Sequence, residues 1–299
     1  MIRTFASRLL PALTGVALAA ATHAAAGDLG VAFPDAYKQK GKLLVATYCG
    51  YPPFGFTEAD QVPKGLDPEI AHDLAELAFG DPDAVEFTCV KSDQRISFLQ
   101  SGRVDILLTT LGVTIDRAKV IDFSEPYFAS TTVFLARDGD AFETFDDVAN
   151  DPIGVTSGTP WITWMERCKP EIQLVQFDSM AGQVEALATG RLRAAMMDST
   201  AGYPLAEKNP RFWITGPSVD EQGYQWAIGV RKGEAELAAW LNAAIADLQK
   251  RDLFWQHLTK YVTNPATLEE LKPVVRRPDY TPDYSGFLAS VQPEPSCPN

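Results

Sequence analysis

Thr109, Thr110, Gly112 and Thr114 crowd into six residues, and Arg117 follows three positions later. Small residues let a ligand approach the backbone closely, hydroxyls and free N–H groups donate hydrogen bonds, and a guanidinium grips a carboxylate through two parallel bonds. Together these groups could hold a small carboxylate, although a surface loop with a solvated arginine fits the same residues equally well. A second constellation is Ser157-Gly158-Thr159-Pro160, where Thr159 reads as a helix N-cap and Pro160 as the first helical residue. A helix start offers unpaired N–H groups and partial positive charge, which again suits a carboxylate. Asp198 is of opposite sign. It follows the apolar run Ala194–Met197 at once, where an acid can pair with an ammonium or, the commoner use of aspartate, cap the helix expected over Ser199–Glu207.

Aromatic groups come from the stretch Gly50-Tyr51-Pro52-Pro53-Phe54-Gly55-Phe56. Its two prolines forbid helix and stiffen the loop. Tyr48 and Tyr51 are read as pocket residues, Phe54 and Phe56 as core.

These residues need strands and helices to position them. Leu43–Cys49, Val85–Val90 and Val104–Leu108 are short apolar runs that read as strands. Between the first two lies a well-marked helix, with Asp67 as cap, Pro68 in the first turn and Gly80 as stop. Its residues Ile70, Leu74, Leu77 and Ala78 fall on one face, and His72 lies off it. Asp93 is expected to cap a second helix carrying Ile96 and Leu99. Alternating strand and helix means a parallel α/β sheet, in which ligands sit outside the carboxyl ends of the strands. Tyr51, Ser92–Arg95 and Thr110–Arg117 all fall there. The middle third repeats the pattern with strands at Thr131–Ala136, Ile153–Thr156, Leu174–Phe177 and Ala194–Met197. Tyr224–Val230 reads as a returning strand, followed by a helix with Leu237, Trp240, Leu241, Ala244, Ile245 and Leu248 on one stripe and by a helix containing His257 as a surface or packing residue.

Residues 1–26 read as an export signal: Arg3 and Arg8 lead, Leu9–Ala21 is a short apolar core, and Ala24 or Ala26 offers a cleavage site. This puts the mature chain outside the cytoplasm, in the periplasm where two membranes exist. The formal net charge is -13, and loss of those two arginines takes it to about -15. That argues against nucleic acid or an anionic membrane as partner. Four cysteines in an exported chain allow three pairings. Cys49–Cys89 fits if the first two strands are neighbours, and Cys168 and Cys297 could tether the tail; buried free thiols are the alternative. No metal-ligand spacing, phosphate loop or nucleophile elbow is present, and no cofactor is expected. From about Thr263 the prolines 265, 273, 278, 282, 293, 295 and 298 rule out regular structure, leaving a tail that hangs free or wraps the fold through Tyr280, Tyr284 and Phe287.

The stretches YPPFGF, KGLDPEIAHDLAELA, SDQRISFLQSGRVDI, GVTIDRAKVIDFSEPYF, IGVTSGT and AAMMDS, with the closing helix pair, come in an order that resembles the periplasmic solute-binding proteins of polar amino acid ABC transporters, solute-binding protein family 3. The resemblance runs from about Leu43 to Tyr261. It implies the two-lobed type II periplasmic-binding-protein fold, each lobe a mostly parallel sheet flanked by helices, joined by two hinge strands. Lobe 1 would be 40–130 plus 227–270, lobe 2 131–226, and 271–299 a proline-rich tail. It further implies that Arg117 holds a ligand α-carboxylate, helped by backbone groups of Thr110 and Gly112 and by the Thr159 turn. Asp198 then takes the α-ammonium, Tyr51 packs over the side chain, and Arg95 faces an acidic or polar side chain. The partner implied is a membrane permease, served by a monomer without catalysis. Gly112 departs from the serine or threonine of many members, and Pro160 brings no N–H to the carboxylate. Exported cyclohexadienyl or arogenate dehydratases resemble the same family and would need Glu166, Glu185 or Asp198 as a general acid; an extracytoplasmic ligand sensor is the other alternative.

Overall fold

The computed structural model describes residues 29–217, 224–281 and Cys297. The export signal and the tail residues Tyr284 and Phe287 lie outside the described residues. The first part of the chain forms α1 (Asp35–Lys38), β1 (Leu43–Thr47), a hairpin of β2 (Gly50–Tyr51) and β3 (Gly55–Phe56), α2 (Leu66–Phe79), β4 (Val85–Cys89), α3 (Arg95–Gln100), β5 (Ile106–Leu108), α4 (Ile115–Val120) and β6 (Ile121–Ser130). Strand β1 lies between β4 and β5 and runs parallel to both, because a helix separates each successive pair and carries the chain back. Two helix starts differ from expectation. The residue at the N-cap of α2 is Gly65 and that of α3 is Gln94. Asp67 sits inside the first turn of α2, fully buried, and its carboxylate turns away from the helix end toward Tyr127 and Thr110.

The chain passes through Thr131 into a second unit: β7 (Thr132–Arg137), β8 (Pro152–Thr156), α5 (Trp161–Cys168), β9 (Gln173–Phe177), α6 (Met180–Ala188), β10 (Ala194–Asp198), α7 (Ser199–Lys208) and β11 (Phe212–Thr215). Its sheet has the order β11-β7-β10-β8-β9. Strand β8 is parallel to β9 and β10, and β7 is antiparallel to β10 and β11. The crossing is braced by Ser199, whose N–H donates to the Thr131 carbonyl at 2.7 Å while its Oγ accepts the Thr131 N–H at 3.2 Å.

The chain returns on β12 (Tyr224–Arg231), which pairs antiparallel with β5 and β6 and completes a first sheet of order β4-β1-β5-β12-β6. The expected boundary between 226 and 227 therefore falls inside a strand. The protein is thus a two-lobed α/β fold with one mixed five-stranded sheet per lobe. Helix α8 (Ala235–Lys250) packs on β6 and β12 of the first sheet, and α9 (Leu253–Tyr261) packs on α2 and α8. Leu237, Trp240, Leu241, Ala244, Ile245 and Leu248 of α8 are all buried, and each of the leucines and Ile245 contributes on the order of 1.5–3 kcal/mol. His257 is buried on α9, with Nε2 2.6 Å from Asp73 of α2.

The segment after Thr263 corrects the expectation of irregular chain. It forms α10 (Pro265–Leu271), with Asn264 as N-cap accepting the Ala266 and Thr267 N–H groups. Pro265 stands at the first helical position, where a missing N–H costs nothing. Val275 then pairs with Phe128 of β6.

Both cysteine pairs are bonded. Cys49–Cys89 joins the ends of adjacent β1 and β4, where Thr47 is in register with Cys89. Cys168–Cys297 joins the end of α5 to the C-terminal tail. Cys49–Cys89 closes a loop of 40 residues, so the double change Cys49→Ala/Cys89→Ala should lower the unfolding free energy by about 2–4 kcal/mol. Urea unfolding checks this, and an unmoved midpoint would show that the bridge adds nothing to stability.

Candidate functional site

The loop leaving β5 is shaped from below. Thr110 has φ +47°, left-handed for a threonine, a conformation that persists only when its surroundings fix it. Here the Thr110 N–H donates to Asp67 Oδ2 at 2.9 Å, and Asp67 Oδ1 accepts the Tyr127 hydroxyl at 2.8 Å. Burial pushes the Asp67 carboxyl up to about 7, against the lowering effect of those two bonds and of the Arg95 charge.

Two residues on, Gly112 is bridged to Trp226 of β12. Trp226 is fully buried, stacked on Phe128 at 5.0 Å and edge-on to Phe54 at 4.8 Å. The loop is therefore tied through its backbone to the strand that carries this aromatic cluster. Thr114 then caps α4, its Oγ1 accepting the Arg117 N–H at 3.2 Å. This places Arg117 one turn into the helix with its guanidinium buried over the loop.

Arg117 spends two of its donors on backbone carbonyls. Nη1 donates to Gly112 O at 2.6 Å within its own lobe, and Nη2 donates to Gly158 O of the second lobe at 2.9 Å. Burial pushes its pKa well down, the nearby Arg95 charge adds to this, and Asp198 opposes it; a guanidinium nonetheless stays charged in proteins. From the other lobe, Asp198 stands at the N-cap position of α7 but makes no side-chain cap bond there. Its Oδ2 instead accepts the Tyr51 hydroxyl at 2.8 Å across the cleft, and that hydroxyl lies 3.2 Å from Thr200 Oγ1. Burial, then the Asp198 charge, holds the Tyr51 phenol well above its ordinary range.

Arg95 is buried on α3 and donates from Nη1 to Thr109 O at 2.8 Å. Its Nε finds no hydrogen-bond partner among the described residues. The Tyr48 hydroxyl accepts from Ser92 Oγ at 3.0 Å, and its ring meets Tyr51 edge-on at 6.1 Å. The lobes are in contact around this set: Lys91 pairs with Asp178 at 2.8 Å on the rim, and Gly158 lies against the Ser92–Asp93 backbone.

One cavity between the lobes is lined by Tyr48, Tyr51, Arg95, Thr110, Gly112, Arg117, Thr159 and Asp198, the full set expected from the sequence. One detail is corrected. Pro160, not Thr159, occupies the N-cap position of α5, and the Thr159 hydroxyl donates to Thr156 O at 2.8 Å. Proline is favoured at a helix start, and Thr159 closes the preceding turn instead. Sequence reasoning missed Thr156, Trp161, Met180 and Met197 as lining residues. Thr156 and Met197 lie in the last two residues of β8 and β10, so the rule that ligands sit at strand ends would have found them. It also missed Asp67, read as a cap.

A family model of bacterial extracellular solute-binding proteins, family 3, matches residues 43–264. The chain belongs to this family. The L-cystine-binding protein TcyJ of Escherichia coli is 30% identical over 216 residues, 71% of this chain and 79% of that protein. The ABC transporter glutamine-binding protein GlnH of Bacillus subtilis is 27% identical over 201 residues, 67% of this chain and 72% of that one. Among solved structures, the solute receptor for L-cysteine of Neisseria gonorrhoeae aligns with a TM-score of 0.76 at 29% identity, covering 81% of this chain and 98% of that one. The relatives named here are all described as binding proteins or receptors.

In this solute-binding protein, contact between the lobes depends on Gly158. Its φ is +76°, and an added Cβ would stand 2.5 Å from Asp93 N and 2.7 Å from Asp93 Cα. Backbone in a turn cannot step aside, so Gly158→Ala should separate the lobes while each keeps its fold. Small-angle scattering should report a larger radius of gyration with unchanged circular dichroism. Superimposable scattering curves for variant and parent would count against this contact.

Proposed function

We propose that the protein is the extracytoplasmic binding component of an amino acid ABC transporter: it closes on a polar amino acid and presents it to a membrane permease. The observation that carries the reading is that Arg117 from one lobe and Asp198 from the other line a single cavity. The ligand carboxylate lies against Arg117 beside the Gly112 backbone, the Thr110 N–H being held by Asp67. The ligand ammonium lies against Asp198, and Tyr48 and Tyr51 pack over the side chain. Charge-assisted bonds of this kind contribute about 1.5–3 kcal/mol each, and an uncharged pocket could not take a zwitterion without a large desolvation cost.

Pro160 brings no N–H and the Thr159 hydroxyl is already engaged, so the carboxylate depends chiefly on Arg117. Arg95, buried in the wall, selects for a polar or acidic side chain. Residues 1–26 direct the chain out of the cytoplasm, into the periplasm where there is one, and it works there as a single copy without catalysis. Support comes from the family match and from relatives named for cystine, glutamine and cysteine.

Melting measured against the twenty amino acids and cystine tests this. A ligand at a hundred times its Kd stabilises the folded state by about 2.7 kcal/mol, a rise of roughly 5 °C or more in Tm for a chain of this size. Arg117→Ala and Asp198→Ala should each abolish the rise and leave the unliganded protein folded, and Arg95→Ala should change the order of preference among ligands. A full-sized rise retained in both of the first two variants would place the ligand elsewhere.

A further inference from the structure

The cavity wall carries three charged side chains, Arg95, Arg117 and Asp198. A fourth, Asp67, lies directly behind it. Asp67 does not line the cavity, yet its Oδ2 holds the N–H of Thr110, which does. The carbonyl of the preceding residue, Thr109, receives Arg95 Nη1. One buried carboxylate therefore fixes the left-handed turn at Thr110 and stands beside the guanidinium that faces the ligand side chain.

With Asp67 ionised, two guanidiniums face two carboxylates and the site is neutral, which matches a zwitterion of no net charge. An acidic amino acid brings one further negative charge that nothing balances. A proton on Asp67 removes one negative charge from the wall and leaves the site at plus one. Both hydrogen bonds survive this change. The carbonyl oxygen of a protonated carboxyl still accepts the Thr110 N–H, while its hydroxyl donates to Tyr127, which turns from donor to acceptor.

We propose that Asp67 is a specificity residue acting from behind the cavity wall: ionised, it shifts the preference of the cleft toward amino acids of no net charge, and protonated, toward acidic ones. The inference rests on the amino acid reading of the site given above. The charged and titratable groups that face Asp67 are Tyr127 of β6 and Arg95 of α3. On its own helix, Glu69 and Asp73 turn instead to His257, Lys260 and Tyr261 of α9. Burial raises Asp67 to about 7, so the exchange of charge falls within the ordinary working range of pH.

Calorimetry with the isosteric pairs glutamine and glutamate, and asparagine and aspartate, between pH 5.5 and 8.5 reads the effect. The side chains of these ligands do not change charge in that window. As pH falls, the affinity for the acidic member should gain on its neutral partner by about tenfold, the influence of one unit charge at ~10 Å in a medium of effective dielectric near 20. Asp67→Asn keeps an acceptor for Thr110 and a group for Tyr127, and it should hold the low-pH ratio at every pH. It thereby separates Asp67 from His72 and His257, which stand off the cavity. Should that variant fail to fold, Tyr127→Phe serves: it removes a bond that favours the charged form, so the midpoint of the ratio should move to higher pH. A ratio that does not change with pH overturns the inference and leaves the amino acid reading standing. So do acidic ligands that bind at neither end of the range, and an Asp67→Asn profile that follows the parent. If no member of the wider amino acid panel binds at any pH, the reading of the site itself fails.

Discussion

A guanidinium taken out of water must find acceptors, because an unpaired buried charge costs several kcal/mol. Arg117 finds one on each side of the cleft, Gly112 O on its own lobe and Gly158 O on the other. Two further contacts across the cleft lie beside that bridge. Gly158 has to lie within van der Waals reach of Ser92–Asp93 to bring its carbonyl to the guanidinium, which only a residue without a Cβ and tolerant of positive φ can do. Tyr51 spans the same gap in the opposite chemical sense, donating from the first lobe to the Asp198 carboxylate of the second. A cation with carbonyl partners and an anion with a hydroxyl partner thus line one cavity from the two halves of the molecule.

The fold explains why those groups meet. In the first lobe the parallel strands β1, β4 and β5 send their carboxyl ends the same way, and the hairpin, the start of α3 and the Thr109–Thr114 loop all follow those ends. In the second lobe the ends of β8 and β10 deliver Thr156 and Asp198 to the facing side. Antiparallel β6 and β12 carry the chain between the lobes beside this cluster. Trp226 of β12 is bridged through its backbone to Gly112, so the strand that returns to the first lobe also holds the loop that lines the cavity.

Much of this was legible in the sequence because short-range chemistry determined it. The hydroxyl and glycine run before Arg117, the double proline after Tyr51 and the strand ending at Asp198 are local signals, and the structure draws them to one cavity. What escaped reading depended on partners distant in the chain. Asp67 looks like a cap beside Pro68, and only Thr110 and Tyr127, 43 and 60 residues away, turn its carboxylate inward. Asp198 looks like a cap for the same reason, and Tyr51, 147 residues earlier, claims it instead. Strand β11 was missed because Phe212–Thr215 is four residues long and is specified by its pairing with β7. The residues after Thr263 were misread for a different reason. A count of prolines treats all positions alike, whereas proline at the first residue of a helix is favourable and Asn264 supplies the cap.

That last segment bears on how the lobes are joined. The family match ends at residue 264, so this segment lies beyond the matched stretch. It is nevertheless bound to both lobes. Thr267 of α10 donates to Glu207 of α7 in the second lobe at 2.6 Å. Val275 pairs with Phe128 on β6, Arg276 reaches Glu125 of β6 and Gln249 of α8, and Arg277 makes paired bonds to Asp252 of 2.7 and 3.1 Å in the first lobe. Cys297 then returns to the second lobe through its bond to Cys168. Beyond the two hinge strands, the lobes therefore share a third, partly covalent connection. Rotation of one lobe against the other must carry it along or break the Thr267–Glu207 bond, so the energetics of opening in this chain include contacts beyond the matched stretch.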